Sequence, residues 1–132
     1  MIGIRKLALA GFGGGAMLLT LAAASRPASL ANIEGGLWEI DPLGPGARPR
    51  MCIADPMVFA SYEHRRRACT RVLISDGPGG AVIQYTCTTG GFGRSTVKAL
   101  TPRSLRVETQ GIADNAPFQY VFQARRVGAC GQ

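Results

Sequence analysis

A mainly β domain, an antiparallel meander sheet or partial barrel of six to seven strands with one short helix and two disulfides, is the fold class predicted by this 132-residue sequence. Three observations lead to it. From Cys69 onward, apolar and polar residues alternate with period two in one segment after another. Turns built on glycine, proline and Asp-Asn separate those segments at short intervals. Four cysteines follow an N-terminal stretch that reads as a secretory signal, which places them where disulfides form.

The N-terminus is read first, because it sets the compartment. Arg5 and Lys6 precede an uncharged run over residues 7–25, rich in Leu, Ala and Gly, and Arg26-Pro27 ends it. Charge, apolar run and small residues in that order are the pattern of a cleavable signal. A membrane anchor is the rival, since the run approaches the roughly 20 apolar residues that span a bilayer. Five glycines between Gly3 and Gly15 count against a permanent helix. Ser29-Leu30-Ala31 puts small residues at the two positions a signal peptidase reads, so cleavage is expected after Ala31, with the alanines at 22–24 as second choice. A signal over 1–31 and a single secreted, periplasmic β domain over 32–132 follow. No membrane span is then left in the exported chain, which is expected to be a monomer.

Charge narrows the partners. The whole chain carries a formal +7, but without Arg5, Lys6 and Arg26 it has 12 basic residues against 8 acids, or +4. All but Lys98 of those 12 are arginines, scattered over many segments. A nucleic-acid binder would gather them on one face beside stacking aromatics, so nucleic acid is not an expected partner. Arg65-Arg66-Arg67 is the one cluster. It reads as the solvated end of a helix, where cations complement the helix dipole, or as a patch for anionic lipid, lipopolysaccharide or an acidic partner.

Gly36-Leu37-Trp38-Glu39-Ile40 alternates as a first strand with Leu37 or Trp38 inward. Pro42, Pro45 and Pro49 with Gly44 and Gly46 make a loop before a short second strand over 50–53. Asp55-Pro56 starts a helix, the carboxylate accepting from first-turn amides and the proline fitting the first helical position. The helix is expected to reach about Arg66, with Met57, Ala60 and His64, or Val58, Phe59 and Tyr62, as its apolar side.

The clearest hairpin follows. Thr70, Val72 and Ile74 alternate with Arg71, Leu73 and Ser75, and Asp76-Gly77-Pro78-Gly79-Gly80 leads into residues 81–88. A five-residue loop puts Ser75 opposite Ala81, so partners sum to 156 and Cys69 falls opposite Cys87. Directly opposed strand residues are close enough for a disulfide, which pairs Cys69 with Cys87 and leaves Cys52 for Cys130. Gly90-Gly91-Phe92-Gly93 reads as a glycine turn, because a strand-like segment over 95–100 follows it, not the helix of a phosphate loop. Thr101-Pro102-Arg103 turns into residues 105–110, with Val97, Ala99, Leu105 and Val107 inward. After Asp114-Asn115-Ala116-Pro117, the last strand puts Phe118, Tyr120, Phe122 and Ala124 on one face. With Trp38, this aromatic stripe is either core or the lining of a small apolar-ligand site.

Chemistry is sparse. His64 is the sole histidine, so a Ser-His-Asp or Cys-His relay would need it, and its three arginine neighbours argue against a general base there. Cysteine spacings of 17, 18 and 43 contain no close pair of the kind zinc sites use. Glu39, Glu63 and Glu108 offer carboxylates for a glycosidase pair without any sign that two converge. No catalytic residue, metal site or cofactor is expected.

The signal peptide, Gly36-Leu37-Trp38-Glu39, Cys52-Ile53 before a short helix, and spaced Cys69 and Cys87 among glycine-rich strands resemble the secreted bacterial domain family of unknown function numbered 3617. The resemblance spans nearly the whole of 32–132. It departs in the short stretch between Trp38 and Cys52, where such proteins often carry a longer Met- and Pro-rich segment. The resemblance implies a periplasmic location and supplies no catalytic residues. The expected function is a non-enzymatic module that binds a protein or envelope component. The alternatives are a carrier of small apolar ligands on the aromatic face and a hydrolase built on His64.

Overall fold

Tight turns decide the topology. Asp114 and Asn115 both take positive φ, 50° and 62°, and close a two-residue turn whose twist matches that of the paired strands. Pro78-Gly79 and Pro102-Arg103 close two more hairpins between the pairs Gly77–Gly80 and Thr101–Ser104. The computed structural model describes residues 26–131. Its strands are β1 (Gly36–Asp41), β2 (Arg50–Ile53), β3 (Cys69–Gly77), β4 (Gly80–Cys87), β5 (Phe92–Thr101), β6 (Ser104–Ala113) and β7 (Ala116–Gly128). They form one open antiparallel sheet in the order β2-β1-β7-β6-β5-β4-β3. The chain meanders from β3 to β7, and β1 and β2 are added beyond β7.

One face of the sheet is the core. Trp38, Ile40, Ala81, Ile83, Tyr85, Val97, Leu105, Val107, Phe122 and Ala124 are buried there. Trp38 is therefore the inward residue of β1, and Leu37 is only half-buried. Ala99, expected inward, packs partly buried against the core edge. The core face is covered by a 3-10 segment, Pro56–His64, with Phe59 against Trp38 (ring centroids 5.3 Å) and Tyr62 against Phe122 (4.7 Å). The expected short helix is present, as a kinked 3-10 segment that ends at His64, two residues before Arg66. Asp55 caps the start by accepting from the Met57 amide, 3.0 Å, but Ser61 breaks helical geometry with φ −129° and ψ 41°. The kink turns Phe59, Ala60, Tyr62 and His64 to the sheet together, which neither expected apolar side does.

A second cover comes from the chain before β1. A 3-10 turn, Ala28–Leu30, buries Leu30, and Ile33 follows it into the core. Arg26 donates to the Ile33 carbonyl (3.0 Å) and to Asp55 (3.3 Å), tying this stretch to the start of the long 3-10 segment. The expected cleavage point after Ala31 thus lies inside packed structure, whereas the alanines at 22–24 lie outside the described residues.

Both disulfides form as expected, Cys52–Cys130 with Cα atoms 5.5 Å apart and Cys69–Cys87 with 3.9 Å. The hairpin arithmetic needs one correction. The loop has two residues, so Asp76 faces Ala81 and Ser75 faces Val82. A bulge between Leu73 and Ser75 absorbs the extra residue and returns the pairing to Leu73–Ile83 and Cys69–Cys87, the sum of 156.

Candidate functional site

The face turned away from the core carries the candidate site. Strand alternation points Gln84, Arg94, Gln110 and Gln119 outward, and register sets them side by side. Gln84 opposes Arg94, Arg94 opposes Gln110, and Gln110 opposes Gln119. The adjoining row is apolar: Phe92 opposes Ile112, and Ile112 opposes Pro117. Neighbouring strands lie about 4.8 Å apart, so each row is a ladder of closely spaced side chains. Over these rows the sheet has a depression of about 620 Å³, within the range of small-molecule sites.

Glycines make its floor. Gly93 and Gly111 stand opposite each other in β5 and β6 and both line the depression. A Cβ at Gly93 would lie 2.5 Å from Tyr85 Oη, and one at Gly111 would collide with the Phe92 carbonyl oxygen. With glycine at both positions, the backbone itself is the floor and the Tyr85 and Phe118 rings pack directly beneath it.

Electrostatics set Arg94 apart from the other arginines of the outer face. Arg106 pairs with Glu108 (2.9 Å), and Arg50 and Arg125 both pair with Glu39 (3.0 and 3.4 Å). Arg94 has no ion pair among the described residues. Its cross-strand neighbours are neutral amides. Phe92 is 51% exposed beside it.

Behind the floor lies a buried polar group. His64 Nδ1 is 2.9 Å from Tyr85 Oη, and Ser95 Oγ donates to Thr109 Oγ1 at 2.8 Å. His64 Nε2 is buried without a partner among the described residues and faces Gly91, where a Cβ would collide with it. Burial, with Glu63 nearby, pushes the Tyr85 hydroxyl up to about 12. Tyr120 is also raised, first by burial and then by its hydrogen bond to Glu63 at 2.7 Å.

The residues singled out in the sequence are placed as follows. Trp38 and Phe122 are sealed in the core, and Tyr120 packs against it; Phe118 reaches the depression's edge. The arginine cluster is divided: Arg65 lies over the Tyr62 ring (4.5 Å), Arg67 binds Asp114 (2.7 Å), and Arg66 is exposed. His64 is 2% exposed, and its hydrogen-bonding side-chain neighbour is Tyr85. Glu39 and Glu108 lie on the outer face, each with an arginine, while Glu63 binds Tyr120 over the core. Among the described residues no cluster of three metal-ligating side chains occurs, and no helix is long and apolar enough to cross a membrane.

Phe92, Arg94, Gln110 and Ile112 were not singled out in the sequence. A usable signal was present, since isolated glycines inside strand patterns mark close backbone approach, and Gly93 and Gly111 are such a pair. Comparison of the chain with protein-family models, curated proteins and solved structures finds no match.

Proposed function

We propose that this protein is a secreted, periplasmic binding module whose outer sheet face, at the Phe92–Arg94 depression, takes up a component of the cell envelope. The observation that carries this reading is an arginine with no ion pair among the described residues, beside an exposed phenylalanine in a small-molecule-sized depression, on the side of the sheet opposite the core. An exposed cation next to exposed aromatic surface is a combination that binding explains better than stability does. The two disulfides support an oxidising address, and the resemblance to family 3617 implies the same one. Burial of Leu30, which a cut after Ala31 would remove, favours a signal cut at the alanines 22–24.

Envelope extract passed over the immobilised, oxidised protein tests this, with bound proteins and lipids identified by mass spectrometry. The expected result is a component enriched by the native protein and lost with Phe92→Asp. Equal recovery by the native protein and by a reduced, unfolded control would overturn the reading.

A further inference from the structure

We infer that the depression recognises an amphiphilic anion, a single acyl chain ending in a carboxylate or phosphate, with the head on Arg94 and the chain along Phe92, Ile112 and Pro117. The inference rests on the binding-module reading and names the chemistry of that site.

Charge argues for the head. Arg94 has no carboxylate partner among the described residues, although the other outer-face arginines at Arg50, Arg106 and Arg125 each have one. Gln84 and Gln110 flank it across the strands and can donate amide hydrogens to the same oxyanion. Apolar area argues for the chain. Phe92 is two residues from Arg94 on one strand, so both project from the same face about 7 Å apart. Ile112 and Pro117 continue the apolar line across β6 and β7. Head and chain sites are thus adjacent and meet at a corner by Phe92, the head lying along β5 and the chain row running across the strands.

Other occupants match less of this. An inorganic anion leaves the apolar row in water, and a neutral amphiphile leaves Arg94 without a counter-charge. A polyanion would call for several unpaired cations in a track, and on this face Lys98 is the second, four residues along β5 at about 13 Å.

Calorimetric titration of the folded, oxidised protein with dodecanoate below its micelle concentration is the direct test. Acetate supplies the head alone, dodecyl maltoside the chain alone, and phosphatidylglycerol vesicles the same chemistry in a bilayer. Saturable one-to-one binding of dodecanoate is expected, with acetate silent and the maltoside at least about tenfold weaker. Arg94→Gln should weaken dodecanoate about tenfold or more, the scale of one charge-assisted contact, and leave the maltoside unchanged. Flotation of native protein but not Arg94→Gln with the vesicles would support the inference and assign the anion to a lipid surface. Equal affinity for dodecanoate and maltoside, or an unchanged Arg94→Gln, would overturn it. Phe92→Ser separates the two levels. Loss of all binding in Phe92→Ser with Arg94→Gln unaffected sinks the anion alone, whereas no loss in either variant sinks the site as well. Both positions are exposed, and thermal melts verify that the variants fold.

Discussion

The two edges of the sheet meet the same hazard in different ways. An open sheet leaves unpaired backbone groups on its outermost strands, which invite further strands to add. At one end β2 has four residues, Arg50 is held by Glu39, and Cys52 is tied to Cys130. At the other, β3 has nine residues and exposes Val72, Leu73 and Ile74 to about half. Its protection is local: Arg71 within the strand, a bulge after Leu73, and the Cys69–Cys87 bridge at the base. The short edge is tied by a bridge to a distant part of the chain, and the long one by a local bridge together with charge and irregular geometry.

Removing the bridges should break the comparison most. The Cys52–Cys130 bridge spans 78 residues and the Cys69–Cys87 bridge 18. Loop entropy alone then predicts losses of about 4.5 kcal/mol and about 3 kcal/mol for the paired Cys→Ala variants, measured by urea unfolding. A larger loss at the hairpin bridge would show that the long edge depends more on its staple than the short one does. Next comes the cover under the β3 end. Leu30→Ala should cost about 2–3 kcal/mol, and a chain starting at Asn32 at least as much by the same measurement.

Alkaline pH should act on the long-edge side through β4, where Tyr85 sits opposite Arg71. The tyrosine is neutral when protonated and its folded-state value is raised from 10 to about 12. Its contribution is therefore complete below pH 10 and is lost as pH rises from 10 through 12. Hydrogen exchange over that window should accelerate in β3 and β4, and Tyr85→Phe should remove this part of the change while leaving the part that Tyr120, also raised, contributes through β7. The smallest effect on stability, within about 0.5 kcal/mol, belongs to Arg71→Val. Its signature is association, read as a rising sedimentation coefficient with concentration, and Arg50→Val on the short edge should show none.

How far the sequence reached differs along the same line. The hairpin was legible because strand alternation and turn residues are local, and Cys69 fell opposite Cys87 even though the turn was misread. A tighter turn and a bulge shift the register by one residue in opposite senses, so the two deviations cancel at the cysteines. The 3-10 segment was only half legible, since Asp55-Pro56 marks its start but the kink at Ser61 follows from fitting Phe59 and Tyr62 to the aromatics of β1 and β7. Trp38 and Leu37 could not be told apart before the cover above β1 was known. The depression was least legible, because Gln84, Arg94, Gln110 and Gln119 become neighbours only through the register of four strands.

The two bridges also differ in when they can close. Cys69 and Cys87 flank one hairpin and can meet as soon as that hairpin forms under oxidising conditions. Cys52 must wait for Cys130, which lies 43 residues beyond Cys87. For as long as the chain is still arriving, Cys52 is a free thiol beside two cysteines that are not its partner. Early closure of the hairpin takes both of those out of reach, so closing Cys69–Cys87 first leaves Cys52 with its native partner.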